Sequence, residues 1–416
     1  MLKSSPSTST SSSAASTAAS TAASTAASTS GGVAAGLSNV ANAVNGAIQK
    51  INPTTAHLGG LILNSVIACI FIVIVVWTRG KMERNDTSML AQYENSVKPG
   101  PINDFEEQYG YLLRDYYIMT AYNCCCSGDY SADFVSTQAL ECVIKQGARV
   151  LDFEIYSVDG IPVVAASSKP EFTMKEVYNY IPFVDAILTI NKFAFSSNGC
   201  QNPSDPLFLC LRIKSKNVMI YESIATILKN NLASKMLDPR YSYSREDIGS
   251  IKLSSFMNKV IIIIDENPGS DNNNTREIYK RTPLYEYVNM TITMDVSKYT
   301  FQKIKEANNS NITESAKKSI KYIVPERAVR SENVEAATLS FNAGCQMVCM
   351  AFQSYDANMI AYLKKFQTAG SAFSLKPETL RYVPIILKEP NPIDPTETLS
   401  SKQTATTVTG GTYSLG

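Results

Sequence analysis

Histidine is almost missing: the 416 residues hold one, His57. A reaction that passes protons through two imidazoles of these residues is thereby excluded. Tryptophan is as scarce, with Trp77 alone. Charge is thin and balanced, 38 Lys and Arg against 37 Asp and Glu, and only 18% of residues are charged, below the roughly 25% of an ordinary soluble domain. Binding of nucleic acid through bulk positive charge is therefore not expected. The nine cysteines, three of them consecutive at Cys124, Cys125 and Cys126, offer no CxxC pair facing a second one. That argues against a disulfide framework or a zinc site and leaves small buried thiols as the simpler expectation. What is abundant is apolar: 44% of the chain is hydrophobic, enough for a large core.

Residues 1–35 are dominated by Ser, Thr and Ala, with AAST repeating from Ala14 to Thr29. So little can be buried there that disorder is expected. No apolar stretch follows Met1 closely, so a signal peptide is not expected. Over 36–52, Leu37, Val40, Ala41, Val44, Ile48 and Ile51 recur at helical spacing and predict a short amphipathic helix with a weak, Ala-rich face. Leu58 to Trp77 carries no charged residue. At about 1.5 Å per residue such a run crosses a hydrocarbon core of about 30 Å, so 58–78 predicts one transmembrane helix. Arg79, Lys81 and Arg84 follow the span while Lys50 alone lies close before it, which predicts that the C-terminal part faces the cytosol. Sequons at Asn85, Asn273, Asn289, Asn308 and Asn311 pull the other way, with less weight in an Asn-rich chain.

A polar linker is expected over 79–104. Beyond it, short apolar runs at 116–122, 149–156, 162–166, 207–213, 259–265, 290–294, 346–352 and 371–375 alternate with helical stretches. This pattern predicts an α/β fold of parallel strands closing into a (β/α)8 barrel. Residues 389–416, rich in Pro, Ser, Thr and Gly, read as a disordered tail.

FNAGCQMVCMAFQSYDANMIAYLKKFQTAGSAFSLKPETLR (341–381) resembles the Y region of eukaryotic phosphoinositide-specific phospholipase C, with ordered matches at Asn342, Gly344, Cys345, Gln346, Met347, Phe352, Gln353, Lys376 and Pro377. TAYNCCCSGDYSADFVSTQALECVIKQGARVLDFEIYSVDGIPVV is similar to the same family's X region, and KLSSFMNKVIIIIDEN to the stretch that closes it. The resemblance runs from Tyr116 to Pro384. It implies a distorted TIM barrel of the phospholipase C-like phosphodiesterase type, in two halves over 105–265 and 289–388 joined by a linker at 266–288. Membrane targeting would fall to the transmembrane helix in place of the family's accessory modules.

The resemblance also implies where the chemistry should lie. The family cleaves a phosphodiester with two histidines and a calcium ion. Here the first histidine position falls on Tyr122, whose phenol has an ordinary pKa of about 10 and is a poor base near neutrality. The second falls on Ala166. The calcium ligands would be Asn123, Asp152 and Glu154, and the fourth position is Arg212, a permanent cation that cannot ligate a metal. Arg212 is expected to reach Asp152 and Glu154 and to stand in the ion's place, so no cofactor is expected, and calcium only if the remnant ligands still bind it. The family's head-group lysines meet Ile263 and Asp265, and its Arg-x-Tyr meets Tyr322 and Val324. Lys376 and Arg381 are expected on the solvated surface.

The resulting expectation is a single-pass membrane protein with a catalytically inactive barrel, a structural or interaction protein of a virion or endomembrane. Its partners would be the bilayer, phosphoinositide head groups and proteins that the sequence does not identify. The alternatives are a diverged phosphodiesterase using Tyr122, Asp152 and Glu154, and a module that binds phosphoinositides without cleaving them.

Overall fold

A computed structural model of the chain describes residues 42, 53–103, 106–172, 175–242, 246–269, 274–306, 309–326, 328–333, 336–383, 404–408 and 411–415. The Ser/Thr/Ala tail lies outside the described residues, and so does the amphipathic helix expected over 36–52, apart from Asn42. The first continuous element is a long helix, α1 (Pro53–Gln92). Among the described residues it alone is long and apolar enough to cross a membrane, and none of its apolar window is buried.

The expected linker after the span is not extended chain, because α1 continues to Gln92. The sequence changes character there without breaking the helix. Asp86 and Met89 are buried, Lys81, Met82 and Asn85 half-buried, and Tyr93 beyond the helix end is buried too, while the residues between point to solvent. This is the stripe of a helix docked on a globular surface. Lys81 Nζ lies 3.2 Å from Asp133 Oδ1, Asn85 Nδ2 donates to the same oxygen at 2.7 Å, Ser136 Oγ donates to Asp86 Oδ1 at 2.5 Å, and the Tyr93 hydroxyl donates to the Phe352 carbonyl at 2.7 Å.

The barrel is closed by eight parallel strands: β1 (Tyr116–Ala121), β2 (Val150–Val158), β5 (Leu207–Lys214), β6 (Val260–Asp265), β7 (Met290–Ile292), β8 (Val296–Thr300), β9 (Ile320–Val324) and β10 (Met347–Met350), with β10 returning to β1. Between β2 and β5 come β3 (Ile161–Val164) and β4 (Ile181–Pro182), and β11 (Phe373–Leu375) ends the sheet. Around the staves run α2 (Thr137–Lys145), α3 (Phe183–Phe193), α4 (Val218–Leu232), the short α5 (Arg276–Tyr279) and α6 (Leu284–Tyr287), α7 (Phe301–Glu306), α8 (Asn309–Lys318), α9 (Ala336–Asn342) and α10 (Ala357–Ala369). Most staves are buried on both faces, so their sequences are near-continuous apolar runs, of which Ile261 to Ile264 is the extreme; β8, buried only at Val296, is the exception.

Eight runs were expected and eight staves form, but they are not the same eight. The runs at 162–166 and 371–375 form β3 and β11, which pair antiparallel to β2 and β1 on the margins of the barrel. Asp159 and Gly160, both with positive φ (51° and 78°), make the two-residue turn that folds β3 straight back on β2 and leaves no room for a crossover helix. Their places as staves are taken by β8 (VSKYT) and β9 (IKYIV). Ser297, Lys298 and Thr300 in the first and Lys321 in the second interrupt the apolar run and leave a weak hydrophobic signal.

The apolar half of α1 projects from one defined end of the barrel. The docked part of α1 begins beside Ser136, the N-cap of α2, where the chain has just left the C-terminal end of β1, and by Ser96 the chain has reached Gln146 at the other end of α2. Residues before Lys81 therefore rise past the C-terminal ends of the strands. Trp77 is four residues up, about 6 Å along a helix axis.

The second compact unit, Tyr382–Gly416, holds an antiparallel pair, β12 (Thr404–Val408) with β13 (Gly411–Leu415), inside the segment read as a structureless tail.

Lys376 is not on the surface as expected. It is 1% exposed, its ammonium donates to the Ala316 carbonyl at 3.0 Å, and burial pushes its pKa down to about 7. Arg381 is half-buried over the Tyr111 ring, 4.5 Å from its centroid. From about pH 7 to the ordinary lysine value of 10.5 the unfolded chain keeps the Lys376 proton that the folded chain has lost, so stability should rise with pH across that window. Below it both states are protonated and the full cost of the buried charge applies. Lys376→Met is expected to flatten the rise and to raise the thermal midpoint at neutral pH by about 2–4 °C, the shift that ~1 kcal/mol produces in a domain of this size, read by thermal unfolding in detergent across the pH range.

Candidate functional site at the barrel mouth

Asp152 and Glu154 are two residues apart on β2 and so point to one side of it, into the barrel. On the neighbouring stave Arg212 stands in register with Glu154, and Lys214 with Tyr156. All four charged groups are inside, with Asp152 0%, Glu154 1%, Arg212 4% and Lys214 1% exposed. Two carboxylates and two cations sum to zero.

The guanidinium of Arg212 is held on several sides. Its Nε lies 3.1 and 3.0 Å from the two carboxylate oxygens of Asp152, and Nη2 donates to Asp152 Oδ1 at 2.7 Å. Nη1 donates to Glu154 Oε2 at 3.1 Å, and Nη2 also to Asn123 Oδ1 at 2.5 Å. The plane stacks on Tyr122, 4.6 Å from the ring centroid. The remaining lone pairs are taken as well: the Tyr322 hydroxyl donates to Asp152 Oδ2 at 2.7 Å, the Tyr156 hydroxyl to Glu154 Oε1 at 2.6 Å, and Lys214 forms an ion pair with Glu154 Oε1. Lys214 Nζ also reaches the Tyr156 hydroxyl at 3.0 Å and the Lys169 carbonyl at 2.7 Å. Asn123, just past the end of β1, takes a left-handed φ of 43°, which Asn tolerates better than most residues, and its backbone N–H donates to Asp152 Oδ1 at 3.1 Å.

The titration behaviour follows. Burial alone would raise the Glu154 carboxyl, but Arg212 and Lys214 outweigh it and hold the pKa below the ordinary carboxylate value. Burial likewise works against the charge on Arg212, and Asp152 and Glu154 more than restore it. Burial and then the Asp152 charge drive the Tyr322 phenol well above its ordinary range, so it stays a neutral donor at physiological pH.

The structure thus brings Tyr122, Asn123, Asp152, Glu154 and Arg212 together. Ala166 is fully buried, with its carbonyl accepting from the N–H groups of Glu176 and Val177 at 3.0 and 3.4 Å, and a methyl group carries no proton. Asp265 does not join the carboxylates of β2: it pairs at 2.6 Å with Lys298 of β8. Ile263 is fully buried. Tyr322 is the donor to Asp152 described above. Three participants escaped the sequence reading. Lys214 could have been found, because it follows Arg212 by two along the same strand face; Tyr156 follows Glu154 in the same way. Lys298 could not, because its strand was itself missed.

A calcium ion implied by the fold does not fit these residues. The oxygens that would ligate it, from Asn123, Asp152 and Glu154, are all within hydrogen-bonding distance of one guanidinium, and a cation placed among them would meet that charge at contact. Among the described residues no group of three or more His, Cys, Asp or Glu is arranged to hold a metal. The run Cys124, Cys125, Cys126 beside this network is buried and free of disulfides, and burial pushes the thiols of Cys124 and Cys126 up, so neither is a ready nucleophile.

Comparison with known proteins assigns the barrel. Residues 110–265 match the family model of the phosphatidylinositol-specific phospholipase C X domain, and residues 276–379 that of its Y domain. The chain belongs to the phosphatidylinositol-specific phospholipase C family. Among solved structures it is similar to PLC21 of L. pealei, with 19% identity and a TM-score of 0.53, and to PLC21 of S. officinalis, with 20% identity and a TM-score of 0.52. In both cases the match covers 66% of this chain and 38% of the other, so the chain spans well under half the length of these structures, and at this identity the likeness shows the fold alone. A search of curated proteins found no match.

Removing one partner from a buried ion pair leaves the other uncompensated, at a cost of about 3–5 kcal/mol. Arg212→Leu is expected to destabilise the barrel by that amount in denaturant unfolding. Lys298→Ala also leaves a buried carboxylate, Asp265, without its cation, but Asp265 keeps the Asn267 N–H at 3.0 Å and the removed lysine is partly exposed, which opens a path to water, so its cost should be smaller. The depressed Glu154 pKa contributes stability that is present above the ordinary carboxylate value and lost as pH falls below it. Glu154→Gln should therefore make the acid limb of the unfolding profile shallower, and a limb as steep as that of the parent chain would count against this account.

Proposed function

We propose that this chain is a membrane-anchored phospholipase C-like barrel that does not hydrolyse phosphoinositides and serves as a structural or interaction protein. One observation carries the reading: the Arg212 guanidinium is bonded to Asp152, Glu154 and Asn123 at once, in the family's metal position. The carboxylates are committed to neutralising cations of the chain itself. With Tyr122 and Ala166 at the positions where the family has histidine, and His57 far upstream in the sequence, neither proton-transfer role has a carrier near neutral pH. Each such group is worth roughly 10²–10⁴ in rate. A diverged phosphodiesterase built on Tyr122, Asp152 and Glu154 would have to free all three from Arg212 first.

Anchoring is part of the proposal. The apolar half of α1 would cross the bilayer with Trp77 at its interface, the Arg79, Lys81 and Arg84 flank would keep the barrel on the cytosolic side, and the docking of 81–93 would hold the barrel mouth toward the lipid. A virion membrane or an endomembrane is a setting that suits such a protein.

The test is hydrolysis by the full chain, purified in detergent and reconstituted in vesicles containing phosphatidylinositol 4,5-bisphosphate with millimolar calcium. Diacylglycerol release is expected to equal that of protein-free vesicles, and Arg212→Glu, which restores a carboxylate to the fourth position, should not recover it because the imidazoles are still missing. Turnover that disappears in Asp152→Asn would sink the proposal. Head-group-dependent vesicle binding by the isolated barrel without turnover would favour the lipid-binding alternative instead.

A further inference from the structure

On the outside of the barrel, away from the Arg212 network, α9 and α10 border a cavity of about 220 Å³ lined in part by Thr338, Phe341, Asn342, Asn358, Tyr362 and Lys365. A shallower depression of about 380 Å³ shares Lys365 and adds Lys364, Thr368 and Ser374. Two lysines and no carboxylate line the pair.

Lys365 is the unusual member. Its ammonium sits 4.3 Å from the centroid of the Tyr117 ring and 4.8 Å from that of Phe341, and burial lowers its pKa from the ordinary lysine value. Among the described residues it has ring faces for company and no hydrogen-bond acceptor or carboxylate. Ring faces attract a cation by about 0.5–2 kcal/mol, but an ammonium has three N–H donors, and on this half-buried side chain they are left to water or to a ligand. The walls beside it are apolar and aromatic, Phe341 and Tyr362 lying nearly parallel at 5.8 Å, and Thr338, Asn342 and Asn358 complete the lining, the Asn358 amide donating to the Asn333 carbonyl at 2.6 Å.

We propose that this cavity binds a small organic monoanion: a carboxylate on a flat apolar body, its charge on Lys365 and its body against Phe341 and Tyr362. The size fits. A cavity of about 150 Å³ accepts benzene, and the present one adds room for a carboxylate. The charge fits too, because a carboxylate would replace water on the half-buried ammonium with a charged acceptor and meets no competing anion in the lining. This site is independent of the mouth and of whether the barrel is active.

Benzoate is the probe, with benzamide as its neutral counterpart of the same shape, titrated against the full chain in detergent by equilibrium dialysis. Saturable benzoate binding is expected, with benzamide at least about tenfold weaker, a difference of about 1.4 kcal/mol. Lys365→Gln should weaken benzoate by a similar factor and Lys365→Arg should retain it. No saturable binding, benzamide binding as tightly as benzoate, or benzoate affinity unchanged in Lys365→Gln would each overturn the proposal. The benzamide comparison needs no variant, so a misfolded mutant does not leave the question open.

Discussion

Charge inside a small barrel must cancel, and the mouth of this one is organised around that requirement. Two carboxylates of β2 face inward because of strand alternation. They would be prohibitively costly there unless something positive stood within hydrogen-bonding distance. Arg212 and Lys214 of β5 supply it, and register does the rest by setting Arg212 directly across from Glu154. Tyr156, Tyr322 and Asn123 then saturate the positions that the two cations leave, so that elements from β1, β2, β5 and β9 are tied together by one neutral network. A guanidinium suits the task better than a point charge, since its planar fork addresses two carboxylates and an amide simultaneously.

This arrangement separates scaffold from chemistry. The apolar staves around the network need nothing from the mouth residues to pack, because packing and site chemistry are separable. The carboxylates of Asp152 and Glu154 serve as internal cross-links because the chain carries its own cation beside them.

Much of this was legible in the sequence, and the failures have physical causes. The barrel class could be read from continuous apolar runs, and the mouth residues Asn123 and Asp152 from the ordered match around them, with Arg212 following from the position that the resemblance assigns to it. The staves β8 and β9 were not visible because they place Lys298 and Lys321 on otherwise ordinary strands, where hydropathy falls although the backbone pairs. The runs that became β3 and β11 looked like staves because burial, not pairing direction, is what an apolar run reports. Lys376 was misjudged because lysine is seldom buried, and only tertiary packing shows that its ammonium ends on the Ala316 carbonyl. The helical continuation through 79–92 was hidden by its polar composition, since a docked face of Met82, Asp86 and Met89 is too sparse to stand out.

The unbroken passage of α1 from apolar to docked sequence makes the barrel and the apolar half of that helix a single lever. A flexible tether would let length vary freely, whereas here every residue added or removed between Trp77 and Lys81 would swing the barrel by about 100° around the helix axis and move it by about 1.5 Å along it. Those few positions set an azimuth as well as a height, so whatever holds the apolar half of α1 would also fix which side of the barrel is presented.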